Sequence, residues 1–227
     1  MKALIIKHME SEGPGTLGDF LKQKGWVLDE AKLYEGCRLA SMDGSFDLVV
    51  SMGGVMNVYE EEKFPFLAEE TEFLKRSINM GIKVFGVCLG AQLIAKACGA
   101  RVNLSAAKEV GWSTVDLTDK GKSDPIFLGI NNPLKVFQWH EDVFNVPHSG
   151  ALLGYSASCP HQAFRINRAY GFQFHVEVDA DILNEWFKDS PDRETFLEYY
   201  KQNYDELKVQ SELIYSNLIS ADRMSVV

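Results

Sequence analysis

Short apolar runs alternate with amphipathic stretches through the first hundred residues. Lys2–Lys7 holds four consecutive apolar residues, Ala3 to Ile6, and reads as a strand buried on both faces. The polar, glycine-rich Glu10–Gly15 ends it in a loop. Thr16–Lys24 carries Leu17, Phe20 and Leu21 at helical spacing, with Gly25 as the stop. Trp26–Leu28 predicts a second strand, and Asp47–Ser51 a third that delivers the chain to Met52-Gly53-Gly54. Within Glu60–Met80, Phe64, Phe66, Leu67, Phe73, Leu74 and Ile78 are spaced for a helix beginning near Pro65, which Gly81 terminates. The run Ile82–Val87 then leads straight into a helix-forming stretch, Cys88–Gly99. Strands that are apolar on both faces and alternate with helices predict a parallel sheet with helices on both sides.

After Gly99 the texture becomes β-rich. Gly111–Leu117, Leu134–Trp139, Leu152–Ser156, Ala163–Ile166 and Tyr170–Val176 read as strands, separated by turns such as Asn131-Asn132-Pro133 and Asn167-Arg168. From Asp179 onward the period returns to that of a helix, with Ser190-Pro191 as N-cap and first helical residue. Phe196, Tyr200, Tyr204, Leu207, Ile214 and Leu218 share one face there. The expectation is one domain over 1–227, with a core of about 1–178 and a helical extension of about 179–222. That extension either packs on the core or forms a homo-oligomer interface.

Composition narrows the function classes. The chain has 227 residues, 46% hydrophobic and 24% charged, which suits one well-buried α/β domain. Its formal net charge of −9, without a basic cluster, argues against nucleic acid and anionic membrane as partners. Ala3–Ile6 is too short for a signal peptide and no run is long enough to span a bilayer, so a cytoplasmic location is expected. Four cysteines (Cys37, Cys88, Cys98, Cys159) are scattered without C-x-x-C spacing, which disfavours both a disulfide framework and a zinc site. Gly121-Lys122-Ser123 resembles the end of a P-loop, but Asp116 stands where its first glycine belongs. Neither a metal nor a cofactor is expected.

The candidate chemistry centres on Gly86-Val87-Cys88-Leu89-Gly90, the cysteine counterpart of the G-x-S-x-G nucleophile elbow. A strand-to-helix corner of this kind exposes the sulfur and aims the free N–H groups of the following helix at it, which favours thiolate. A small, buried, structural cysteine is the alternative for this motif alone. A cysteine nucleophile needs a base and the base needs an orienting group. In Tyr170–Glu177, strand alternation puts His175 and Glu177 on one face, about 7 Å apart along the chain, within side-chain reach. The Leu89 N–H and an N–H from Gly53-Gly54-Val55 are available as oxyanion donors. His140 is weighed between contact with a substrate loop and a structural role; His8, His148 and His161 are taken as structural.

Taken in order, the glycine pair, the Gly-Val-Cys-Leu-Gly-Ala-Gln elbow and the downstream His-x-Glu resemble the class I (triad) glutamine amidotransferases, in particular stand-alone GMP-synthase-like domains. Further support comes from His8 with Glu12-Gly-Pro-Gly15, Glu109-Val-Gly-Trp112, Phe137–Asp142 and Gln173–Glu177. The resemblance spans about residues 1 to 178. It implies a flavodoxin-like α/β fold with a mixed, mostly parallel sheet. It further implies a Cys88 nucleophile, a His175 base oriented by Glu177, and oxyanion donors at Gly54 and Leu89. Gln92 would face the substrate, while the loop at Glu141-Asp142 would meet its α-amino and α-carboxylate groups. Glutamine amide hydrolysis through a γ-glutamyl thioester is the implied activity, serving a separate synthase subunit. A γ-glutamyl peptidase acting alone and a catalytically silent, ligand-binding relative are the alternatives. Two positions depart from the family pattern: Val176 and Val55 stand where proline is usual.

Overall fold

In the computed structural model, which describes residues 1–41 and 45–220, one nine-stranded sheet runs in the order β2-β1-β3-β4-β9-β8-β7-β5-β6. Strands β1 (Lys2–Lys7), β2 (Val27–Lys32), β3 (Leu48–Ser51), β4 (Lys83–Val87) and β9 (Ala169–Phe172) form its parallel half. The remaining strands, β5 (Val102–Leu117), β6 (Leu134–Phe144), β7 (Ala151–Tyr155) and β8 (Ala163–Ile166), pair antiparallel. The chain thus has a mixed α/β fold.

Side-chain alternation along the parallel strands builds two apolar layers. Ala3, Ile5, Val50 and Phe85 face one layer, where they meet Leu17 and Leu21 of helix α1 (Gly15–Gln23) and Ile214, Tyr215 and Leu218 near the C-terminus. Leu4, Ile6, Val49 and Val84 face the other, against α2 (Phe66–Asn79) and α3 (Leu89–Ala97). From β1 the chain runs outward to β2 and from β3 it runs the other way to β4, so a crevice opens between β1 and β3 at their carboxyl ends. Into this crevice project His8, the Met52–Gly54 turn and Cys88.

Several elements differ from the sequence expectation. β2 extends to Lys32, because a polar strand paired on one side alone carries little apolar signal. β5 begins at Val102, and its polar first half crosses a bulge between Leu104 and Glu109 while pairing with the far end of β6. β6 continues to Phe144, so Glu141 and Asp142 lie in a strand and not in a loop; alternation turns Asp142 inward and Glu141 out. β9 stops at Phe172, and the chain then bends, touching β6 only through the Phe137–His175 bridge.

After the short helix α4 (Asp119–Ser123), the C-terminal region forms three helices: α5 (Ala180–Trp186), α6 (Arg193–Gln202) and α7 (Tyr204–Ser220). Asp179 caps α5 by accepting the Ile182 N–H at 2.8 Å. Asp192, not Ser190, occupies the N-cap of α6, since the Ser190 hydroxyl and carbonyl close a turn by accepting the Asp192 and Arg193 N–H groups. Residues 221 and 222 of the expected extension lie outside the described residues.

Candidate active site

Cys88 joins β4 to α3 with φ 51° and ψ −107°, a left-handed backbone rarely adopted by a residue with a side chain. The corner closes this tightly because its flanking residues are glycines. A Cβ on Gly90 would collide with the Ser51 carbonyl, and one on Gly86 would fall 2.5 Å from the Gly90 carbonyl carbon. Two hydrogen bonds lock the corner: Cys88 N–H to the Phe172 carbonyl at 2.8 Å and Gly90 N–H to the Met52 carbonyl at 3.1 Å. Strain held by surrounding structure in this way exposes the thiol to a cavity of about 280 Å³ shared with Glu12, Gly54, Leu89, Trp139 and His175.

The bend after β9 brings His175 to that cavity, with Glu177 behind it. His175 Nδ1 lies 2.6 Å from Glu177 Oε1, leaving Nε2 for the sulfur. Burial disfavours the imidazolium, yet the charge of Glu177, the hydrogen bond to Cys88 and the Glu177 hydrogen bond together raise the His175 pKa well above its ordinary value. The second Glu177 oxygen accepts the Val176 N–H at 3.0 Å, a bond that the usual proline could not supply. The Glu177 carbonyl accepts the Thr16 N–H at 3.0 Å, and the Val176 carbonyl accepts the Tyr215 hydroxyl at 2.9 Å. Trp186 sets its ring edge-on to His175 with centroids 5.0 Å apart. The carboxylate reaches the imidazole through this bend, and strand alternation plays no part.

The remaining candidates line the same cavity in different ways. Gln92, one turn into α3, donates to the Asp142 carbonyl at 3.4 Å and to Gln173 Oε1 at 3.3 Å. Asp142 accepts the Tyr59 hydroxyl at 3.4 Å; burial raises its pKa, against that hydrogen bond. Glu141 points outward to Lys108 at 2.6 Å. His140 is turned into the protein, with Nδ1 3.0 Å from the Asp142 carbonyl and Nε2 3.0 Å from Glu109. Val55 is exposed at the cavity rim.

Three participants escaped the sequence reading. Gln173, in the same bend as His175, sets its amide 3.8 Å from the Cys88 sulfur. Trp139 places its carbonyl 3.6 Å from that sulfur. Glu12 is buried beside Gly53, and burial together with the Glu177 charge pushes its pKa up to about 7, against the attraction of His175 and His8.

Among the described residues, Glu109, His140 and Cys159 bring three potential metal-ligating atoms within 4.8 Å. The Glu109 carboxylate is already occupied by Ser156, Ser158 and Gln162 at 3.1, 2.6 and 2.8 Å. Burial pushes the Cys159 thiol up to about 11, so it stays protonated. Glu109 thus serves this group as a hydrogen-bonded support under β6.

The chain has counterparts among known proteins in sequence and in fold. The sequence profile of the class I glutamine amidotransferases matches residues 32–188. A glutamine amidotransferase-like protein of Salmonella typhimurium is 30% identical over 187 residues, covering 81% of this chain and 78% of that one. A glutamine-hydrolysing GMP synthase of Syntrophomonas wolfei is 36% identical over 106 residues, 45% of this chain but 20% of that much longer protein. The crystal structure of a glutamine amidotransferase from Thermotoga maritima superposes with a TM-score of 0.89 at 31% identity, covering 96% of this chain and 98% of that one. A second, from Methylobacillus flagellatus, gives 0.88 at 25% identity over 96% and 94%. The chain therefore belongs to the class I glutamine amidotransferase family.

Proposed function

We propose that this protein hydrolyses the side-chain amide of glutamine through a γ-glutamyl thioester on Cys88. The observation that carries the proposal is that Cys88 and His175 line one cavity, with His175 held from behind by the buried Glu177 carboxylate. The Cys88 thiolate attacks the amide carbon, and the carbonyl oxygen becomes an oxyanion received by the Gly54 and Leu89 N–H groups. Collapse breaks the C–N bond, with His175 giving its proton to the departing ammonia. His175 then takes a proton from water, which attacks the thioester and frees glutamate and the thiol. Glu177 holds the imidazole in orientation throughout. Gln92 and Asp142 form the wall that meets the amino-acid end of the substrate, with Gln173 accepting the Gln92 amide. The ammonia serves a separate acceptor enzyme, a reading supported by the partial match to a GMP synthase four-fifths of whose length lies outside the alignment.

Mass spectrometry after exposure to a glutamine analogue with an electrophilic γ-carbon tests the nucleophile. One adduct is expected on Cys88 in the wild type and none in Cys88→Ser, with glutamate production lost in the variant. An unmodified Cys88 overturns the reading and leaves a ligand-binding relative. Faster turnover of γ-glutamyl peptides than of glutamine would make the protein a peptidase instead.

A further inference from the structure

Outside the triad the structure holds a second buried imidazole–carboxylate pair. His8, at the end of β1, is completely buried, with Nε2 2.6 Å from Glu70 Oε2 and Nδ1 2.9 Å from the Gly53 carbonyl oxygen. A carbonyl only accepts, so Nδ1 carries a proton. Glu70, on α2, is also fully buried, and its other oxygen accepts the Ser51 hydroxyl at 2.7 Å. Burial opposes the imidazolium, but the charge and hydrogen bond of Glu70 and the Gly53 carbonyl outweigh it and raise the His8 pKa. A buried network of this kind, set at the ends of β1 and β3 and on α2, is costly unless it fixes something.

What it grips is one peptide group. A planar trans peptide points its C=O and N–H to opposite sides. With the Gly53 oxygen held towards His8, the Gly54 N–H is turned away from it, and Gly54 borders the cavity containing Cys88 and Leu89. A diglycine tolerates both orientations of such a peptide, so the turn alone does not choose. The same cluster seats the other donor: Ser51 packs its carbonyl against Gly90, in the first turn of α3 beside Leu89. Gly54 itself has no room for a side chain, since a Cβ would lie 2.8 Å from Leu89 Cδ2 and 3.1 Å from His8 Cβ.

We propose that His8, braced by Glu70 and Ser51, is a positioning residue that locks the Gly53–Gly54 peptide with its N–H directed at the oxyanion formed on Cys88. The inference rests on the hydrolytic reading above. It touches no substrate atom and acts only through the peptide it holds.

Removing the imidazole in His8→Ala should lower kcat for glutamine hydrolysis about 100-fold, the scale of one oxyanion donor, with KM changed less than about twofold. Alkylation of Cys88 by iodoacetamide develops no oxyanion and should persist. His8→Asn retains a donor for the Gly53 carbonyl without reaching Glu70, and should recover at least about tenfold of the lost kcat. Unchanged kcat in His8→Ala, or an Asn variant no better than Ala, overturns the proposal while leaving the hydrolytic reading intact. A wild type that does not hydrolyse glutamine overturns the hydrolytic reading instead. Crystal structures of His8→Ala and His8→Asn give a readout that needs no turnover. The Gly53–Gly54 peptide should be rotated or disordered in the first and retained in the second; an unmoved peptide in His8→Ala overturns the proposal.

Discussion

Glu12 shows how one buried carboxyl ties stability to pH beside the proposed triad. It lies against Gly53 and within the fields of His175 and Glu177, and its pKa of about 7 stands above the ordinary 4.5. A carboxyl raised on folding stabilises the protein fully below 4.5, and that contribution is lost as pH rises to 7. Relative to Glu12→Gln, which stays neutral, the wild type should therefore lose on the order of 3 kcal/mol between those limits. Urea unfolding of both proteins at acid, near-neutral and mildly alkaline pH measures the difference, and a constant gap would show that the carboxyl does not titrate there. Glu177→Gln tests the proposed orienter: it should lower kcat at least about 100-fold, measured by steady-state glutamate release, while Cys88 remains alkylatable. Cys88, His175 and Glu177 were legible as candidates because a nucleophile, a base and an orienter come from a short list of types at recognisable spacings. Glu12 and His8 were not, because their roles depend on burial and on the backbone they touch. His8, read from sequence as structural, differs from His148 and His161 only in what surrounds it.

At the scale of elements, α5 links the C-terminal region to the site. Trp186 packs on His175, lies 5.1 Å from Trp139 between ring centroids, and donates its indole N–H to the Ser11 carbonyl at 3.0 Å, one residue before Glu12. Trp186→Ala should cost about 2–3 kcal/mol in urea unfolding, below the range for a fully buried tryptophan because its ring is half-buried. Trp186→Phe should keep most of that packing while losing the bond to Ser11, so the two variants separate the ring from its N–H. β1, β3 and β4 could be read from sequence because both their faces are buried, leaving uninterrupted apolar runs. The added length of β2, β5 and β6 could not: Asp29, Glu30, Ser105, Lys108 and Glu141 belong to strands whose outer faces meet solvent or charge. The bend at Gln173–Val176 was hidden for the opposite reason. Phe174 and Val176 continue a strand-like alternation, yet the chain there leaves β9 to bridge to β6.

On the scale of the whole molecule, the two apolar layers of the parallel half and the aromatic cluster over β5 and β6 are stabilised unequally. α7 sends Ile214, Tyr215 and Leu218 into the layer under α1, and the Leu218 carbonyl accepts Lys83 Nζ at 2.6 Å. α6, although it comes earlier in the chain, has no fully buried residue. It rests on partly buried Phe196, Leu197 and Tyr200 beside Phe137 and Phe187, with Trp112 donating to the Phe196 carbonyl at 3.0 Å. Local opening free energy follows buried apolar contact, not distance from a terminus. In native-state hydrogen exchange, peptides from α6 should therefore exchange by local opening well before those from α7, and β1, β3, β4 and β9 should exchange last. A cavity of about 310 Å³ that reaches His175 is lined by Tyr200 of α6 and, on α7, by Tyr204, Leu207 and Ser211. Exchange in α7 as fast as in α6 would mean that the C-terminal helices detach together, and the layer under α1 would then contribute far less than its burial implies.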